Sequence, residues 1–164
     1  MLGGEGSMML LDSQVRMIEL LRKQELLLAE LYRMLSEHLP ADRDFWLKMS
    51  AEELDHAQWV DYLEQKARGG AVIFAEQRTR MTALQSYVDY ILRMIDKVKA
   101  SPPMRANALS LALDIERSLM EKNIFQHFHG DSRAVVELLT SLRTRTDDHR
   151  MLIEQKVAAI RAQQ

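Results

Sequence analysis

Helical periodicity dominates this chain of 164 residues and limits what it can fold into. Apolar side chains recur every three or four positions over most of the sequence, which places them along one face of a helix. Strong helix formers occupy the positions between them. No stretch of useful length alternates between apolar and polar residues, as a half-buried strand would. The sequence therefore predicts an all-α protein.

Breakers and capping residues divide the periodic sequence into five predicted helices. Proline and glycine end the helices or precede them, at Pro40, Gly69-Gly70, Pro102-Pro103 and Gly130. Asp42 is the expected N-cap of the second helix, and Asp131 or Ser132 that of the last. The expected helices cover residues 12–38 (or from 8), 42–67, 82–99, 103–128 and 132–162.

The lengths of the connections predict how these helices are arranged. The first and last loops are only a few residues long, so each joins two antiparallel helices. The middle connection is much longer and contains a short apolar turn at 71–75 as well as the helix at 82–99. Two antiparallel hairpins joined by a long crossover with an extra helix predict a four-helix bundle of the ferritin-like arrangement. We expect residues 8–164 to form this single domain, and the Gly-rich residues 1–7 to be flexible.

Composition narrows the classes of function. The chain has no cysteine, which excludes disulfides, thiol catalysis and cysteine-held zinc or iron–sulfur sites. A formal net charge of −2 provides no basic surface for nucleic acid and no attraction to an anionic membrane. No apolar stretch approaches the roughly 18 residues of a membrane span, and no signal peptide is recognisable. We therefore expect a cytoplasmic protein.

Charged side chains interrupt four of the apolar stripes at core positions. They are Glu25 on the first helix, Glu53 and His56 on the second, Glu116 on the fourth and His149 on the fifth. An ionised carboxylate in an apolar core is very unfavourable unless an opposite charge meets it there. Glu53 and His56 are three residues apart and can bind one ion from the same helix face. Carboxylates and imidazoles together are the ligands of iron or manganese rather than calcium.

These segments resemble the ligand segments of the ferritin-like superfamily, in particular its rubrerythrin-type branch. The resemblance extends over roughly residues 12–162 and is carried by Glu25-x6-Tyr32, Glu53-Leu-Asp-His56 and Ala112-Leu-Asp-Ile-Glu116. It implies two iron ions, with Glu25 and Glu116 as terminal ligands and Glu53 as a bridging carboxylate. His56 would be a terminal nitrogen ligand. Tyr32 would lie beside the site as a hydrogen-bonding or redox-active neighbour.

The last helix departs from the family pattern. Where a second Glu-x-x-His is expected, the chain has Thr146-Asp-Asp-His149, so His149 matches and Thr146 stands at the position of the missing carboxylate. Asp147 and Asp148 point about 100° and 200° away from Thr146 around the helix and cannot replace it. Three carboxylates leave two divalent ions incompletely neutralised. We therefore expect the ion beside Glu116 and His149 to bind more weakly.

The resemblance implies iron chemistry with dioxygen or peroxide. The chain would be an iron-dependent oxidoreductase of the peroxide reductase or ferroxidase type, with an external electron donor, and manganese or zinc are alternative metals. The apolar face of the crossover helix favours a homodimer. Three alternatives remain open: a metal-binding or interaction bundle whose site has decayed and does not turn over, a purely structural helical protein, and a cage-forming storage ferritin.

Each candidate residue also has a simpler interpretation. Glu25 could be a solvated residue, Glu53 and His56 a surface pair, and His149 a core histidine that is hydrogen-bonded. Tyr32 could serve packing alone, and Glu116 lies on a helix that is rich in acids. We interpret His127 and His129 as basic residues at the C-terminal end of the fourth helix, although a separate metal site there is an alternative. Copper binding by the 11 methionines is disfavoured, because they do not cluster.

Overall fold

A computed structural model describes residues 10–74, 78–122 and 124–163. Five helices make up nearly all of it: α1 (Asp12–His38), α2 (Arg43–Arg68), α3 (Arg78–Ala100), α4 (Arg105–Lys122) and α5 (Arg133–Arg161). Two 3-10 turns and two strands complete it: Pro40–Asp42, Ile124–His127, β1 (Ile73–Phe74) and β2 (Phe128–His129). The all-α prediction is confirmed. The prediction for residues 1–7 falls outside the described residues.

The prediction for the end of α4 is wrong, because the helix ends at Lys122 instead of continuing to Phe128. Phe128 lies in β2, where it pairs with Phe74 of β1, and the two rings stack with their centroids 4.4 Å apart. This pairing joins the crossover to the loop before α5. Gly130 follows at a close approach, where a Cβ would lie 2.5 Å from the Ala71 carbonyl oxygen. Glycine is therefore required at this position.

Asp42 occupies the N-cap position of α2 as predicted, but its side chain makes no capping hydrogen bond. The buried carboxylate instead accepts a hydrogen bond from Arg105 at 2.7 Å and lies 2.8 Å from the Lys156 ammonium group. It therefore ties the start of α2 to the start of α4 and to α5.

The predicted cap of α5 is confirmed as Ser132, whose side chain accepts a hydrogen bond from the Val135 backbone N–H at 3.2 Å.

Contacts between the helices fix their directions. In α1 and α2, Ser50 donates to the Ala29 carbonyl oxygen and Arg22 pairs with Glu64, so these two helices are antiparallel. Arg105 at the start of α4 and Lys156 near the end of α5 both pair with Asp42. Further along α4, Glu116 lies near His149, which comes earlier in α5, so these helices are antiparallel as well.

The crossover helix α3 runs parallel to α1. Arg16 donates to Gln85 near the start of both helices, and Glu30 pairs with Lys99 near their ends. The chain thereby returns to the end of the bundle at which α2 begins, and α4 starts there too, beside Asp42. The apolar face of α3 is buried within the chain through Leu84, Val88, Ile91 and Ile95.

The core consists of two apolar clusters that are separated along the bundle. One contains Leu21 of α1, Val60 of α2 and Leu142 of α5. The other contains Leu28 of α1, Met49 of α2 and Ile153 of α5. We call the buried polar side chains between these two clusters the polar layer: Glu25, Glu53, His56, Glu116 and His149.

No helix in the described part of the chain combines the length and apolar character needed to span a membrane.

Candidate metal centre

All five residues that interrupt the predicted apolar stripes meet in the polar layer. They come from four helices, and none of them is more than 5% exposed. Each lies where its helix passes from one apolar cluster to the other, because the heptad spacing keeps the position on the core-facing side. The interpretations of Glu25 as a solvated residue and of Glu53 with His56 as a surface pair are therefore wrong.

Glu53 is the centre of the polar layer. Its Oε2 lies 3.0 Å from His56 Nδ1, and its Oε1 lies 3.0 Å from His149 Nδ1. The second contact is close but lacks the alignment of a hydrogen bond. The two imidazole rings stack with centroids 5.0 Å apart. Glu53, His56 and His149 each offer one ligand atom, with all three atoms within 4.8 Å of one another, so this group could hold a metal ion.

The other two carboxylates lie on opposite sides of this group. Glu25 Oε2 is 3.5 Å from His56 Nδ1, and Glu116 Oε1 is 3.8 Å from His149 Nδ1. Each histidine is therefore accompanied by a glutamate of its own, while Glu53 is shared. The layer consists of two similar halves around one central carboxylate, which is an arrangement that can accommodate one ion or two.

Three further side chains orient the polar layer from outside. Tyr32 donates a hydrogen bond to Glu116 Oε1 at 2.5 Å, as its predicted place beside the site requires. Gln24 donates to Glu25 Oε1 at 3.1 Å, and Glu52 Oε2 lies 2.8 Å from His149 Nε2. Gln24 and Glu52 were not predicted from the sequence as neighbours of the site. The one sequence signal they carry is that each immediately precedes a predicted ligand.

Several buried polar atoms of the layer have no hydrogen-bond partner among the described residues. These atoms are Oε1 of Glu53, Oε2 of Glu116 and Nε2 of His56. A buried polar atom without a partner is unfavourable by about 1–3 kcal/mol, and more for a charged group. Two of the three atoms are carboxylate oxygens, which are good ligands for iron, manganese or zinc. The residues present therefore fit a metal ion.

The outer carboxylates of the layer hold protons more tightly than ordinary glutamates. Burial raises the pKa of Glu25 to about 7, and the charge of Glu53 adds to this. Burial likewise raises the pKa of Glu116 to about 8, again with a contribution from Glu53. Like charges close together in a core cannot both stay ionised without a cation between them.

The central group behaves in the opposite way. For Glu53 the contacts with His149 and His56 outweigh burial and lower the pKa to about 2. Burial opposes the charge on the two rings, yet the carboxylates outweigh it. The pKa of His56 is raised to about 10, and that of His149 to about 9. Glu53 is thus an ionised carboxylate between two imidazolium ions when protons are the only cations present, and a metal ion would have to displace protons from those rings.

The remaining predictions concern α5 and the region after α4. Thr146 lies within α5, but its side chain is outside those that the structure describes. His127 and His129 do not end a helix as predicted, because α4 stops earlier and they lie in the 3-10 turn and in β2. Within the described part of the chain, the cluster that could hold a metal ion is the one around Glu53, and it contains neither of them.

Comparisons of the chain with protein-family models, with curated proteins and with solved structures find no match.

Proposed function

We propose that the chain is a ferritin-like protein whose polar layer binds non-haem iron. The observation that carries this proposal is the convergence of three buried carboxylates and two buried imidazoles from four helices, with two carboxylate oxygens that accept no hydrogen bond from the described residues. The helix directions support it, because two antiparallel hairpins joined by a traversing crossover are the ferritin-like arrangement.

The two halves of the layer would hold two ions. Glu53 would bridge them, Glu25 and His56 would bind the first, and Glu116 and His149 the second. A glutamate is the expected ligand at position 146, and threonine there leaves the second ion with one carboxylate fewer. We therefore expect unequal occupancy, with the weaker site beside His149. Manganese or zinc would fit the same donor set.

Bound iron would supply redox chemistry with dioxygen or peroxide, which makes an oxidoreductase the first candidate function. The chain's own residues would exclude bulk water from the buried layer and hold the carboxylates in place. Tyr32 donates a hydrogen bond to Glu116 and orients it, and Tyr32 would be the redox-active neighbour of the iron if the chain has one. Reducing equivalents would come from an external donor, since the chain has no cysteine to hold an electron-transfer centre. The homodimer and the cytoplasmic location stay predictions.

The second candidate function is metal binding without turnover. It is favoured by the threonine at position 146, which removes a ligand from the place where the resembled family has a glutamate. In this case the layer would serve stability or interaction, and the first ion alone would be retained.

Metal analysis of protein from iron-supplied cells tests both candidates when it is combined with Thr146→Glu. Thr146→Gln is the matched control, because it has the same size without the charge, and Thr144→Glu places the same charge on the exposed side of α5. The oxidoreductase predicts more than one and up to two irons per chain, together with peroxide-dependent oxidation of an added donor by the natural protein. The second candidate predicts at most one iron, no such oxidation, and two irons in Thr146→Glu only. Absence of metal from all of these proteins would contradict both.

A further inference from the structure

His149 faces two different carboxylates through its two ring nitrogens. Nδ1 lies 3.0 Å from Glu53 inside the polar layer, whereas Nε2 lies 2.8 Å from Oε2 of Glu52. Glu52 is not part of the layer, since one-fifth of its side chain is exposed. It lines a groove of about 290 Å³ between α2 and α5, together with Lys48 of α2 and Asp148 of α5. Glu52 therefore holds the buried ring from the solvent side.

This contact determines which nitrogen of His149 can bind a metal. A neutral imidazole carries a proton on one nitrogen and a lone pair on the other. When a metal ion displaces one of the two protons of His149, the hydrogen bond from Nε2 to Glu52 at 2.8 Å keeps the remaining proton on Nε2, because the contact of Nδ1 with Glu53 is not an aligned hydrogen bond. The lone pair then lies on Nδ1, which faces Glu53 and, at 3.8 Å, Glu116.

The second histidine has no equivalent support. His56 also turns Nδ1 toward Glu53, at 3.0 Å, but its Nε2 is buried and without a hydrogen-bond partner among the described residues. The two halves of the layer thus differ in this respect. The half that has lost a carboxylate at position 146 is the half whose histidine is held by an outer carboxylate.

We propose that Glu52 is a positioning residue that fixes the tautomer and the ring orientation of His149 so that Nδ1 binds the metal. This inference rests on the proposed metal-binding function and assigns to Glu52 the support of the weaker half. Outer carboxylates that hold a ligating histidine commonly change metal affinity by about 10- to 100-fold when they are removed.

The first test measures zinc affinity by competition with a chelating dye. Glu52→Leu removes the acceptor, and we expect its zinc affinity to fall by about 10- to 100-fold. Glu52→Gln keeps a carbonyl acceptor without the charge, and we expect it to recover most of the loss. Lys48→Gln removes the ammonium group that lies 3.8 Å from Glu52 Oε1, and Asp55→Asn removes an exposed acid from the same helix. Both should bind zinc as the natural protein does.

The second test observes the ring itself in zinc-loaded natural protein. A long-range proton–nitrogen correlation spectrum should show His149 with a protonated Nε2 and a metal-bound Nδ1. The reverse assignment would overturn the proposal even if Glu52→Leu failed to fold. Zinc binding that is unchanged in Glu52→Leu would overturn it while leaving the metal centre intact. A natural protein that binds no zinc and no iron would overturn both.

Discussion

Glu53 is the residue on which the polar layer depends, because it contacts both histidines at 3.0 Å and is shared by the two halves. Glu25 and Glu116 each accompany one histidine only. If the layer binds metal, removing the central carboxylate must affect every ion in it. The three glutamates are therefore not equivalent, although the sequence presents each as a single interruption of a stripe.

We predict that Glu53→Gln lowers metal affinity by more than the roughly 100-fold that loss of an outer partner costs. Glu25→Gln and Glu116→Gln should each weaken binding less, because one half of the layer stays complete. Equilibrium dialysis with zinc measures this order. Glu37→Gln, an exposed change on α1, is the control. Equal losses in all three variants would contradict a shared central ligand.

A second prediction about a single residue concerns Tyr32. Tyr32→Phe leaves Glu116 Oε1 without its donor in a fully buried position, which should reduce the free energy of unfolding by about 1–3 kcal/mol. Denaturant unfolding of the metal-free protein measures this. Tyr62→Phe, an exposed tyrosine on α2, should change stability by far less. The interpretation of Tyr32 as plain packing predicts that the two variants are equally stable.

Among the helices and strands, the sequence predicted the features that depend on neighbouring residues, namely which face of a helix is buried and which residue caps it. The stripes placed all five residues of the polar layer in the core, and Ser132 caps α5 as expected. The early end of α4 could not be predicted from neighbouring residues, because the segment after the helix contains Phe128, which pairs with Phe74 far away in the sequence. Glu52 was missed because it lies one position off its stripe and reaches His149 from the groove.

Asp42 links α2, α4 and α5, so its removal should weaken the packing of all three helices. Hydrogen bonding from Arg105 lowers the pKa of Asp42 despite burial, and Lys156 adds to this. The resulting stability is present above the ordinary pKa of the carboxyl and is lost as the pH falls through the lowered value. We predict that Asp42→Asn lowers the melting temperature at neutral pH, whereas Asp44→Asn, its exposed neighbour, does not. A melting temperature unchanged in Asp42→Asn would show that the link contributes nothing.

At the scale of the whole molecule, protons and metal ions compete for the same layer. The pKa values of Glu25 and Glu116 are raised to about 7 and 8, and those of His56 and His149 to about 10 and 9. Each of these groups binds its proton more tightly in the folded than in the unfolded chain. Their contribution to the stability of the metal-free protein is therefore greatest at low pH and declines as the pH rises toward these values.

Metal binding should have the opposite dependence on pH. Because an ion must displace these protons, the rise in melting temperature caused by a fixed excess of zinc should be larger at about pH 8 than at about pH 6. Thermal unfolding with and without zinc measures this. Glu53→Gln should show little rise at either pH. A stabilisation that is independent of pH would mean that zinc binds away from the layer.

Anomalous diffraction from iron-loaded crystals would show whether the polar layer is a metal centre. We predict an iron peak within coordination distance of Glu53, His56 and His149. If a second peak is present, it should be weaker and lie on the side of Glu116 and His149. Iron found only at the surface, or no iron peak between the two apolar clusters, would contradict the account.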